Sequence, residues 1–260
     1  MNTNAIKLVG GQEIPGLRVE YYIEPITGTT NSCFLLNGSM IQKVRLKGKF
    51  ADQMAGLAMI LKDLNSAKMW IQKAYNLTAE VRTEKLKNTV FTQFADEELS
   101  DEVKAFFISG VTFYGKSFTE AKGRKVQFQR DWLAVEYREI HDRVMHLRHN
   151  IAAHSGDEKL ESADVSLLLI PQNKQSFFLQ PIATRAQPSF VDVTVQGADF
   201  LKLLNYIISV VIERHLAAGR RLMAAVNEKP IGFWHTASKK DIAIDLDENM
   251  IRTRKKKETK

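Results

Sequence analysis

Leu147-Arg148-His149-Asn150-Ile151-Ala152-Ala153-His154-Ser155-Gly156 gathers an arginine, two histidines and an asparagine in one short span. Leu133, Tyr137, Ile140 and Val144 upstream of it, with Leu147 and Ile151 within it, recur at helical spacing. That stripe predicts a long amphipathic helix over about 131–153, with one face to bury and a stop at Ser155-Gly156. The polar cluster lies off the stripe. His146, Asn150 and His154 are spaced by four, so they share a face for as long as the helix lasts, and Arg148 lies on a neighbouring one.

The chain around this helix reads as further helices. From about Asp52 to Tyr75 the residues Met54, Leu57, Leu61, Leu64, Ile71 and Tyr75 keep to one side. A second helix is expected from Ser100, as N-cap ahead of Asp101 and Glu102, to about Ala121. Its core face is aromatic, with Phe106, Phe107, Phe113, Tyr114 and Phe118, while Gly110 and Gly115 cost helix propensity and are expected to admit close backbone packing. A last long helix spans about Ala198 to Val226, with Leu201, Leu204, Ile208, Val211 and Leu216 as its stripe.

Strand signals occupy two regions. Residues 1–48 alternate in Leu17-Arg18-Val19-Glu20-Tyr21-Tyr22-Ile23, with turns expected at Gly10-Gly11, Pro15-Gly16 and Asn37-Gly38. Val165 to Pro171 and Ser176 to Leu179 predict a hairpin across Gln172-Asn173-Lys174, followed by an extended piece from Phe190 to Val195. Pairing between the N-terminal strands and this hairpin is left open.

At 260 residues, 44% hydrophobic and 26% charged, the chain can bury a core. The longest apolar run, Phe200 to Leu216, is interrupted by Lys202, Asn205, Ser209, Glu213 and Arg214, which suits a buried helix and not a membrane span. No secretory signal is visible at Met1-Asn2-Thr3-Asn4, and Cys33 is the lone cysteine, so a cytoplasmic protein with no membrane association is expected. Of the net charge of +7, residues 251–260 supply +5 through six basic side chains and one acid, leaving the body near neutral.

The Arg148-to-His154 segment resembles that of HEPN proteins, an all-helical superfamily that includes toxin and abortive-infection ribonucleases. The shared pattern is an arginine, a polar residue, a few mostly apolar residues and then Ala-His-Ser, at the end of a helix. Five residues separate Arg148 from His154, within the four to six the family uses. The same spacing separates Arg143 from His149, and what singles out the later pair is its place at a helix end before Ser155-Gly156. His141-Asp142-Arg143-Val144-Met145-His146-Leu147 and Tyr114-Gly115-Lys116-Ser117-Phe118-Thr119 also look like the superfamily's helix pair. The likeness covers about residues 50–226. It departs from the family in placing His149, and not an asparagine, directly after Arg148, with Asn150 next.

The resemblance implies a mainly α fold, a HEPN-like four-helix bundle with short β additions. Residues 1–48 form a strand-rich segment, 49–228 the helical domain with a hairpin insertion at 158–197, and 229–260 a C-terminal extension with the basic tail. It implies a metal-independent endoribonuclease acting in toxin or antiviral defence, as a homodimer whose two motifs share a cleft, with RNA as substrate and an antitoxin or other protein as a further partner. The chemistry suits the side chains. A base with a near-neutral pKa, His154, takes the ribose 2′-hydroxyl proton, and Arg148 stabilises the developing phosphorane. His149 serves as the second proton carrier and Asn150 orients His154 or holds a phosphate oxygen. Arg143 and His146 are the RNA-binding candidates. Cleavage leaves a cyclic phosphate.

Other readings compete with each element. Arg148 and His149 suit the negative end of a helix dipole without catalysis, and His141 and His146 suit the surface. The aromatic set and Trp70, Trp132 and Trp234 suit the core. Arg138 and Arg143 occupy the positions three before His141 and His146, so no Glu-x-x-His pair forms; neither HExxH nor a Walker loop, GxGxxG or GxSxG is present. No metal or cofactor is expected. The alternative to the nuclease is a noncatalytic HEPN-like module that binds RNA, nucleotide or protein through the same cluster.

Overall fold

The Asn37-Gly38 turn shows how directly some of this chain folds by local chemistry. Both residues have positive φ, 51° and 86°, as a two-residue hairpin turn of this kind requires, and they join β3 (Thr30–Leu36) to β4 (Ser39–Met40). With β1 (Ala5–Lys7) and β2 (Glu13–Ile23) these strands form an antiparallel sheet in the order β1-β2-β3-β4. The computed structural model describes residues 5–7, 13–79, 97–121, 123–149, 162–173, 176–186, 197–240 and 243–247. Gly10-Gly11 and the extended piece at 190–195 lie outside them. Pro15-Gly16 does not turn the chain as expected. It lies inside β2, where Gly16 takes φ +78° and its carbonyl accepts the Asn37 N–H at 3.1 Å. Half-buried Cys33 sits opposite Glu20 in the β2–β3 ladder.

The four long helical segments follow the periodicity of the sequence. α1 (Lys49–Leu77) buries Leu57, Ile60, Leu64, Ala67, Ile71 and Ala74, a strict three-four alternation that makes a narrow seam. α2 (Glu97–Phe118) buries Val103, Phe107, Val111 and Tyr114. It begins before Ser100, which is therefore inside the helix and not its cap. α3 (Val135–Leu147) starts later than the expected Asp131: Arg130–Trp132 form a tight 3-10 turn, and Leu133 is extended. The cause is tertiary. The Tyr206 hydroxyl accepts the Ala134 N–H at 3.0 Å and donates to the Trp132 carbonyl at 3.5 Å, so backbone groups that a longer helix would use are satisfied elsewhere.

α4 (Gly197–Asn227) buries Phe200, Leu203, Leu204, Ile207 and Val211, a face rotated by one residue from the expected stripe, with Leu201, Ile208 and Leu216 half-buried on its flank. α5 (Ile231–Lys239) follows, and the Trp234 Nε1–H donates to the Val226 carbonyl at 3.2 Å. Among the described residues no helix is long and apolar enough to cross a membrane.

The chain divides into two units. One comprises Met1–Ala58, Lys122–Val126 and Val211–Lys260. Here β5 (Leu46–Lys47) pairs in parallel with β8 (Ile244–Asp245), and the Lys49 N–H donates to Asp247 Oδ2 at 2.6 Å, which caps α1 from a distant point in the chain. The other unit comprises Met59–Ala121 and Gln127–Val210. Within it Trp70 stacks on Phe106 at 5.4 Å, Tyr114 meets Phe200 edge-on at 5.2 Å and Tyr137 stacks on Tyr206 at 4.5 Å. These contacts join α1 to α2, α2 to α4 and α3 to α4 around one apolar core, so the protein is mainly helical with strand additions. The hairpin after α3 is present and longer than expected: β6 (Ser162–Asn173) pairs with β7 (Ser176–Ala186). Among the described residues it is a sheet by itself and does not join the N-terminal strands.

Candidate functional site

α3 ends in the residues that carry the motif. The backbone at Arg148 is still helical, φ −57° and ψ −45°, and its N–H reaches the carbonyls of Val144 and Met145. Arg148 lies two turns beyond His141 and one beyond Val144, so its side chain leaves α3 from the face that packs on α2. There it meets Gly115. A Cβ on Gly115 would coincide with the Arg148 side chain at Cδ and Nε, so the absence of a side chain at this point of α2 is what admits the arginine stem. Arg148 is half-buried by this contact. Among the described residues none forms an ion pair with its guanidinium.

The neighbouring cations are engaged differently. Arg130 grips Asp142 with two hydrogen bonds, 2.7 Å from Nε and 2.6 Å from Nη2, and this pairing holds the Asp142 carboxyl below its usual range. Arg138 donates from Nε to the Leu133 carbonyl at 3.2 Å. Arg143, expected to contact RNA, is exposed and lies 3.2 Å from Glu139 one turn back. Lys116, next to Gly115, lies 3.5 Å from Asp63 of α1 and over the Phe113 ring. His146 and His149 are exposed, on either side of Arg148 in the chain. Asn150 and His154 lie outside the described residues. Of the expected cluster, Arg148, His149, His146 and Arg143 are therefore placed at one helix end.

Beneath Arg148 the helix pair is locked by a polar contact in the core. His141 is 5% exposed, and its Nδ1 shares a 2.7 Å hydrogen bond with the hydroxyl of fully buried Tyr114. Its ring also packs 4.4 Å from that of Phe118. Burial pushes the imidazole below the usual histidine value, against the opposing pull of Asp142, and burial together with Asp142 pushes the Tyr114 phenol up. Both groups are therefore neutral near pH 7. This corrects the expectation that His141 lies on the surface. The signal was present, since His141 falls four after Tyr137 and three before Val144 on the buried stripe; its polarity argued the other way until a buried partner was in view.

Gly110 and Gly115 stand out in the sequence without their partners, which are Ile71 and Arg148. A glycine in mid-helix costs roughly 1 kcal/mol against alanine, which signals close approach but not of what. Among the described residues no three histidine, cysteine, aspartate or glutamate side chains gather as a metal set. Arg148, set over a glycine with the exposed imidazoles of His146 and His149 beside it in the chain, gathers one cation and two groups able to carry protons. Comparison with protein-family models, curated proteins and solved structures gives no match for the chain.

Proposed function

We propose that the chain is a HEPN-like metal-independent endoribonuclease, with the α1–α4 packing as its four-helix bundle. The observation that carries this reading is Arg148: its stem is seated on Gly115, and among the described residues no carboxylate neutralises it. A structural arginine in a helix pair is ordinarily paired, as Arg130 is with Asp142. Arg148 instead offers a fixed positive charge to an incoming phosphate, and its value rises as charge grows on the phosphorane.

In this reading His154 removes the 2′-hydroxyl proton, the resulting oxygen attacks the adjacent phosphorus, and the bond to the 5′-oxygen breaks to leave a 2′,3′-cyclic phosphate. His149 returns a proton to the departing 5′-oxygen, and Asn150 orients His154 or holds a phosphate oxygen. Arg143 and His146 bind flanking phosphates, two protomers bring their motifs to a shared cleft, and the cell uses the activity in defence or as a toxin held by a protein partner.

The test is cleavage of mixed single-stranded and structured RNA in excess EDTA by wild type, Arg148→Ala and His154→Ala. Cyclic-phosphate ends from wild type alone are expected, with losses on the order of a hundredfold or more in either variant. Salt-dependent RNA binding without cleavage would replace the enzyme with a noncatalytic binding module.

A further inference from the structure

The two units of the chain differ in charge. In the ranges of the first, Lys and Arg outnumber Asp and Glu by 21 to 11, whereas in the second they are outnumbered by 19 to 16. The basic tail does not account for this, since without residues 251–260 the first unit still holds 15 basic side chains against 10 acidic. A polyanion is therefore drawn to the unit that contains the N-terminal strands.

Within that unit Lys43-Val44-Arg45-Leu46-Lys47-Gly48-Lys49 concentrates the cations, and no acid occurs anywhere between Glu24 and Asp52. Lys43, Arg45, Lys47 and Lys49 are exposed and the residues between them half-buried, so the four cations form a row. The Ile41 N–H donates to the Phe34 carbonyl at 2.8 Å and Lys43 Nζ to the Ser32 carbonyl at 3.1 Å, which lays the start of the row along the edge of β3. β5 then pairs with β8, and Lys49 opens α1. Alternate residues of an extended run are about 6.5–7 Å apart, close to the separation of successive phosphates in an extended single strand.

The acids nearest the row are already engaged. Asp52 lies 2.6 Å from Lys125, Asp247 accepts the Lys49 N–H, and Asp245 accepts the Asp247 N–H. Among the described residues Lys43, Lys47 and Lys49 form no ion pair, in contrast to Lys116, Lys125 and Lys202. The Ser238 hydroxyl lies 2.8 Å from Gln42 Oε1, which brings the end of α5, with exposed Lys239 and Lys240, to the start of the row. Ser32 stands opposite Tyr21 in the β2–β3 ladder, so a ring that is 68% exposed lies one strand away from Lys43. Cations in line beside an open aromatic ring suit phosphates and a base. A lipid surface fits less well: Ile26, 92% exposed, shares its turn with the Glu24 carboxylate, which anionic headgroups repel.

We infer that this row binds the backbone of single-stranded nucleic acid, with phosphates on Lys43, Arg45, Lys47 and Lys49 and a base stacked on Tyr21. The site belongs to a different unit from Arg148. It is independent of the nuclease reading, since a strand is held there whether or not it is cut.

The probe is an oligodeoxythymidylate of about 20 nucleotides, which has no 2′-hydroxyl and reports binding alone. Fluorescence anisotropy follows its affinity for the full chain across a salt series. In Lys43→Gln/Lys47→Gln/Lys49→Gln the affinity at about 100 mM salt should fall on the order of tenfold, and the slope of log K against log salt should become shallower by about two. Lys62→Gln/Lys73→Gln/Lys202→Gln removes the same charge from exposed positions of the other unit and should stay within about twofold of wild type. Tyr21→Ala should lose roughly fivefold or more with the slope unchanged. If the row variant does not fold, lysine acetylation of wild type decides: the oligonucleotide should protect Lys47 and Lys49 and leave Lys62 reactive. Equal losses in the two triple variants overturn the proposal, as does wild-type affinity in the row variant or in Tyr21→Ala, or absent protection at Lys47 and Lys49. So does a wild type that does not bind the oligonucleotide, and its flotation with phosphatidylserine vesicles would then assign the row to lipid.

Discussion

Replacing Gly115 with alanine separates how Arg148 is held from how the helices pack. The new Cβ would fall on Cδ and Nε of Arg148, the far part of a flexible side chain that is able to swing away, while alanine improves helix propensity by about 0.5–1 kcal/mol. Gly115→Ala should therefore melt at the wild-type temperature or slightly above it and, if the proposed nuclease reading holds, lose roughly tenfold or more of RNA cleavage because the guanidinium is displaced. Gly110→Ala is the contrast: its Cβ meets buried Ile71 at 2.5 Å, and urea unfolding should show a loss of roughly 1–3 kcal/mol. A Gly115 variant that loses stability and keeps activity would remove Arg148 from the site. His141 makes a second prediction at this scale. Its folded-state pKa lies below 6.5, as does that of half-buried His215, so when pH falls through that value the unfolded chain takes up protons that the folded chain does not. The unfolded state then binds more protons, and stability declines as pH drops, levelling off only below the folded-state value. Thermal unfolding between pH 7.5 and 5 should show this slope in wild type and a shallower one in His141→Gln, with His215 supplying the remainder.

Individual elements are held by contacts distant in sequence. α1 has no capping side chain of its own at Gly48, which takes φ +114°; Asp247 caps it from the other end of the chain, accepting the Lys49 N–H beside the positive end of the helix dipole. Asp247→Ala should cost about 1 kcal/mol in chemical denaturation, and Asp247→Asn should recover most of it, because the amide oxygen still accepts the hydrogen bond. Equal loss in both would assign the effect to charge alone. The start of α3 is set in the same way, by the Tyr206 hydroxyl.

For the whole molecule the charge distribution is the decisive quantity. Residues 251–260 hold +5 of the net +7, so a chain ending at residue 250 keeps the helical body and loses most of its long-range attraction for a polyanion. Its RNA affinity should fall at low salt, and the slope of log K against log salt should become less steep by a few units. If cleavage depends on Arg148, the shortened chain should still produce cyclic-phosphate ends at saturating RNA. Loss of cleavage at saturation would place the tail within the catalytic assembly.

The sequence by itself determined the four long helices, the hairpin and the Asn37-Gly38 turn, but not α5, because these depend on local quantities: a period of apolar residues, an alternation, and the tolerance of asparagine and glycine for positive φ. It also singled out Arg148 and His149 at a helix end. Tertiary structure decided the rest. That α3 begins at Val135 follows from a tyrosine on α4; that His141 is buried follows from a tyrosine on α2; that α4 buries Leu203 and Ile207 and not Leu201 and Ile208 follows from which neighbours it meets. Gly115 announced a close approach, and only the packing of α3 on α2 showed Arg148 as what approaches. Each of these outcomes depends on a polar group or a gap finding its complement far along the chain, and no local pattern records where that complement will be.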